Sequence, residues 1–68
     1  MIVRVNGRDV DLAAGAMLVE AVRAAGADPG ERGIAVSLDG EVVPRATWDT
    51  TPLPEGAAVE VVRATAGG

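Results

Sequence analysis

The sequence predicts a two-layer α+β domain in the order β-β-α-β-β-β, a sheet carrying a single helix. Three observations carry that prediction. Asn6-Gly7 and Asp39-Gly40 each sit between short runs that alternate apolar and polar residues, the strongest local signal for a hairpin closed by a type I′ turn. Between the two hairpins the apolar period changes: Leu18, Ala21, Val22 and Ala25 recur at helical spacing. A last alternating run, residues 57–63, follows a Pro54-Glu55-Gly56 turn. A sheet with one helix has to bury the helix's apolar stripe on one of its faces.

The elements follow in order. Ile2 to Val5 places Val3 and Val5 on one face and Ile2 and Arg4 on the other. Residues 8–12 return with Val10 and Leu12 inward and Asp9 and Asp11 outward. The helix has no Ser, Thr, Asp or Asn at its start, so Gly15, Ala16 or Met17 must serve as its cap. Glu20 is then half of a capping box. Gly26 ends the helix and Pro29-Gly30 prevents its resumption. Ile34, Val36 and Leu38 alternate with Ala35 and Ser37, and residues 41–43 return until Pro44, which has no N–H to donate. Residues 45–53 lack a period; 47–49 are read as one short helical turn. In the last strand Val59 and Val61 face inward, and Ala58, Glu60 and Val62 outward. The expected organisation is a domain over residues 1–63 and a flexible tail over residues 64–68, rich in small residues.

Composition removes most activities. The 68 residues are 49% apolar, but 13 of them are Ala and 11 are Val, so the core is thin and β-branched. There is no His, Cys, Lys, Tyr or Phe. Without Cys there is no disulfide, thiolate nucleophile or Cys-based metal site. Without His or Lys the usual general bases and Schiff-base amines are missing too. The chain is therefore not expected to be an enzyme. Its net charge of −4 repels nucleic acid. No signal peptide or apolar run of membrane length is seen, so no membrane is expected and the default compartment is the cytoplasm.

Few side chains remain as candidates. Asp9 with Asp11, and Asp28 with Glu31, are carboxylate pairs, but neither has the ligand number or spacing of a calcium loop. Ser37 is the only serine and has no base to activate it. Trp48, the only aromatic residue, has two readings: a plug beneath the long loop, or a partner contact. Ile2 and Val62, both outward, are expected in an exposed apolar patch. Val62, Ile2 and Trp48 are thus the candidate docking residues. No metal site is expected.

The sharpest feature is the closing Gly67-Gly68. Glycine has no Cβ, so such a segment is slender enough to thread a narrow channel and lets a reagent approach its carboxylate closely. A carboxylate becomes an acyl donor once ATP converts it to an acyl-adenylate. A partner would supply ATP, Mg²⁺ and the nucleophile, and the domain needs no cofactor of its own.

Four blocks in this order carry a family resemblance: VRVNG at residues 3–7, IAVSLDGEVVPR at 34–45, Trp48, and VEVVRATAGG at 59–68. Together they resemble the ThiS family, sulfur carriers of thiamine biosynthesis. The resemblance implies a β-grasp, ubiquitin-like fold with a mixed sheet. It implies that a ThiF-type, E1-like adenylyltransferase activates Gly68, that a sulfur donor protein converts it to a thiocarboxylate, and that a ThiG-type thiazole synthase receives the sulfur. Gly68 would carry the sulfur, while Gly67, Ala66 and Thr65 would thread the tail into the partner. In related carriers an apolar sheet face beside the last strand meets the partner, which suits Val62. The free chain is expected to be a monomer. Two features depart from the family pattern: Thr65 and Ala66 replace a bulkier pair such as Val-Gln, and Met17 stands where a capping Ser or Thr is common. Two alternatives stay open: a carrier for another pathway, molybdopterin or amino-acid biosynthesis, and a non-carrier β-grasp interaction module.

Overall fold

Both hairpins form where the turn residues demand them. In the computed structural model, which describes residues 1–64, β1 (Ile2–Val5) pairs antiparallel with β2 (Arg8–Asp11). Asn6 and Gly7 take φ of 50° and 80°, the left-handed region of a type I′ turn. Asp39 and Gly40 repeat this at 50° and 86° between β3 (Ile34–Leu38) and β4 (Glu41–Val42). The last strand, β5 (Ala58–Arg63), enters the middle of the sheet, giving the order β2-β1-β5-β3-β4. It runs parallel to β1 and antiparallel to β3. This is the mixed sheet of the β-grasp fold.

The helix α1 (Leu18–Ala24) turns Leu18, Ala21 and Val22 to the sheet. They meet Val3, Val5, Val36 and Val59, with Trp48, Leu53, Ala27 and Ala57 completing the core. No polar or charged residue is buried among the described residues. The helix ends in a Schellman motif, the Gly26 N–H donating to Arg23 O and the Ala27 N–H to Val22 O, with Gly26 at φ 83°. Its other end is capped from far away. Met17 makes no side-chain cap. Instead the N–H groups of Leu18 and Val19 donate to the carbonyls of Thr51 and Trp48, at 2.8 and 3.0 Å. The expected half capping box does not form, because Glu20 pairs with Arg23 at 2.9 Å.

The segment after β4 also differs from expectation. A 3-10 turn spans Arg45–Thr47, earlier than the predicted 47–49. Pro44, at φ −62° and ψ 142°, starts it, and its carbonyl accepts from both the N–H and the hydroxyl of Thr47. The fixed φ of proline makes it a natural entry to a tight turn, a signal that outweighs the aperiodic residues after it.

Candidate functional site

The last strand is held on both sides by the same residues that close the hairpins. Asp39 receives the Ala58 N–H on its side-chain Oδ1 at 2.9 Å and donates its own N–H to Ala58 O at 2.7 Å. Asn6 extends the other ladder where β1 turns away: its Oδ1 accepts the Val61 N–H at 2.8 Å and its Nδ2 donates to Val61 O at 3.2 Å. Both residues were legible as turn formers. Their reach across to β5 was not, because Asn6 and Val61 lie 55 positions apart.

The outward sheet face is divided. At the far end of β5, Val62 is 57% exposed and stands opposite the exposed Ala35. Val42, 72% exposed, stands opposite Ser37, which itself pairs with Glu60. Val62, Ala35 and Val42 thus share one apolar area on adjoining strands, with Glu60 at its edge. Val42 was missed by the sequence reading. Its pairing with Ser37 assigns its face, and that register is visible only once the hairpin is closed. Ile2 does not join this area. It lies on the same face, but β1 is parallel to β5 with Arg4 beside Ala58. Ile2 is therefore level with position 56, about 20 Å along the ladder from Val62 at the usual rise per residue. The expected Ile2–Val62 patch does not form. Trp48 also leaves the docking set: it is 2% exposed, and its indole Nε1–H donates to Val43 O at 2.8 Å. It is the plug.

Past Val61 the strand has β3 alone as its backbone neighbour among the described residues, with Arg63 opposite Ile34. The Ala64 N–H donates to Gly33 O at 2.6 Å. Arg63 binds Glu31, Nε to Oε2 at 2.7 Å. The Arg63 hydrogen bond, helped by one from the Asp28 N–H, holds the Glu31 carboxyl below its ordinary range. The same contact raises the Arg63 guanidinium. The candidate tail residues Thr65, Ala66, Gly67 and Gly68 lie outside the described residues.

The other carboxylates of the two candidate pairs have partners within the fold. Asp11 pairs with the Met1 amino group at 3.0 Å, and Asp9 faces Arg4 at 3.7 Å. Asp28 Oδ1 accepts the Gly30 N–H at 2.9 Å, an Asx turn. Among the described residues no group of three or more His, Cys, Asp or Glu is placed to hold a metal ion. No helix among them is long and apolar enough to cross a membrane.

Comparison with known proteins places this geometry. The model of the ThiS family matches residues 3–68. The chain belongs to the ThiS family. Two solved ThiS-type structures from Geobacter metallireducens are similar throughout. The first, a crystal structure of a thiamine biosynthesis protein (ThiS), shares 30% identity at a TM-score of 0.78, covering 100% of both chains. The second, a solution structure of a thiamine biosynthesis protein, shares 34% identity at a TM-score of 0.76, covering 100% of this chain and 88% of that one. No curated protein sequence matches significantly. The ThiS assignment spans the hairpins, the sheet face and the Gly67-Gly68 segment together.

Proposed function

We propose that this chain, a ThiS-family sulfur carrier of thiamine biosynthesis, carries its sulfur as a thiocarboxylate on Gly68. The observation that supports the reading is the family match over residues 3–68, which runs through Gly67-Gly68. The side chains offer no competing chemistry: the sequence contains no His, Cys or Lys, and its carboxylate pairs are engaged in the fold.

The chemistry takes two displacements. A carboxylate oxygen of Gly68 attacks the α-phosphorus of ATP, and pyrophosphate leaves. A hydrosulfide ion released by the donor then attacks the acyl carbon, AMP leaves and the proton is lost to solvent, so that C–S replaces C–O. An E1-like adenylyltransferase supplies ATP, Mg²⁺ and the site for both steps. The carrier is the acyl substrate there, not the catalyst. Thiazole synthase then accepts the sulfur. The face formed by Val62, Ala35 and Val42 is the surface proposed to dock on the activating enzyme, its charge-poor centre suited to desolvation and Glu60 suited to a basic rim residue. Since ATP and the pathway's intermediates are cytoplasmic, so is the carrier.

Complementation tests the pathway. The gene, introduced with its cognate adenylyltransferase and thiazole synthase, should restore growth of a thiazole auxotroph, and a version lacking codon 68 should not. Growth with the truncated version would overturn the role of Gly68. Rescue of a molybdopterin auxotroph in place of the thiazole one would overturn the pathway.

A further inference from the structure

The loop between α1 and β3 has little apolar content beyond Ala27, yet two arginines from distant parts of the chain tie it down. On one side Arg45 donates to the carbonyls of Pro29 and Glu31. Its guanidinium lies over the Trp48 ring, 4.7 Å from the centroid, a cation–π contact with a residue fixed in the core. On the other side Arg63 donates to Glu31 and, through Nη2, to Gly26 O at 3.3 Å. Arg63 continues the inward side of β5 after Val59 and Val61, at the place where the helix has already ended in Gly26. A guanidinium therefore takes the position that an apolar side chain holds deeper in the sheet. Directly after it, Ala64 is bonded to Gly33.

These contacts form one chain from the core to the root of the last segment: Trp48, Arg45, the loop, Glu31, Arg63. We infer that Glu31 and Arg63, braced by Arg45 on Trp48, are positioning residues that fix where the segment ending at Gly68 leaves the fold. The inference rests on Gly68 being the adenylated residue, as proposed above. The pair is a poor stabiliser, since Arg63 and Glu31 are 56% and 34% exposed, and exposed ion pairs contribute little to folding. Its consequence is geometric. With Ala64 anchored, Gly68 lies four residues on and reaches at most about 14 Å from it. If Arg63 and Ala64 come loose, the last anchor moves back to Val62, six residues before Gly68, and the −3/2 power dependence on tether length makes that a factor of about two in effective concentration. The reactive carboxylate is diluted by that factor at the adenylation site.

The test compares the wild-type chain, Glu31→Gln, and the charge-exchanged double variant Glu31→Arg with Arg63→Glu. Amide hydrogen exchange reads the root, and ATP–pyrophosphate exchange with the cognate adenylyltransferase reads the reaction. In Glu31→Gln the Ala64 amide should exchange faster and kcat should fall by up to about twofold, while KM, set by the sheet face, stays unchanged. The double variant should recover part of both, since the exchange restores the ion pair but not the bonds to Gly26 O and from the Asp28 N–H. An unchanged kcat in Glu31→Gln, or a loss confined to KM, overturns the positioning role and leaves the carrier reading intact. A wild-type chain that supports no exchange overturns the carrier reading and this inference with it.

Discussion

Leu18 opens α1, faces the sheet and is fully screened from solvent. Replacing it with Ala removes apolar volume between the helix and a sheet face built from Val3, Val5, Val36 and Val59. Buried Leu→Ala substitutions cost about 2–5 kcal/mol, the upper half applying where the surroundings cannot collapse. Collapse is restricted here. The sheet side chains are β-branched and stiff, and the backbone of Leu18 and Val19 is pinned to Thr51 and Trp48. A loss of about 3–5 kcal/mol follows. A chain of this length has about 3–10 kcal/mol in total, so the variant should be close to unfolded at 25 °C or melt at least about 12 °C lower. Urea denaturation followed by circular dichroism measures it, with Val62→Ala as the exposed control, expected within about 0.5 kcal/mol of wild type. A Leu18→Ala variant within about 1 kcal/mol of wild type would show that the helix is not packed by this stripe.

Three further outcomes follow from the contacts. Asn6→Gly keeps the positive φ of the turn but deletes both bonds to Val61, and should cost about 1–3 kcal/mol; an unchanged denaturation midpoint would remove Asn6 from the clamp on β5. Trp48→Phe loses the donor to Val43 O and should cost about 2 kcal/mol, and the wild-type indole should emit in the blue and shift red on unfolding; emission already at the solvent-exposed position would refute its burial. Glu31 should titrate below its ordinary value of 4.5, chiefly because of the Arg63 hydrogen bond. Its contribution to stability is then complete above 4.5 and is lost as pH falls through the lowered value. Carboxyl NMR titration of wild type and Arg63→Ala checks this, the variant moving Glu31 back upward; equal midpoints would exclude the pair.

What the sequence made legible was local. Asn-Gly and Asp-Gly announce their turns because few residues accept positive φ at both central positions. The stripe from Leu18 to Val22 announces the helix face because burial follows helical spacing. The helix cap was illegible for the opposite reason: it is supplied by backbone carbonyls of Thr51 and Trp48, which no residue type marks. The exposed apolar face was half legible. Alternation gave Val62 its outward side, but whether Ile2 or Val42 joins it depends on strand order, and β5 enters between β1 and β3. Glu31 and Arg63 lie 32 positions apart, in a loop and at a strand end, with no spacing to connect them. Gly68 was singled out by residue type and by the family resemblance, because the chemistry proposed for it belongs to a backbone carboxylate.

The central claim is sulfur transfer to that carboxylate. Intact-mass spectrometry of the chain after incubation with its adenylyltransferase, ATP and a sulfide source tests it most directly. The account predicts a mass gain equal to one oxygen-to-sulfur exchange, localised to Gly68 by fragmentation and absent when ATP is withheld. An unchanged mass, with an adenylyltransferase shown to activate another carrier in the same mixture, would contradict it.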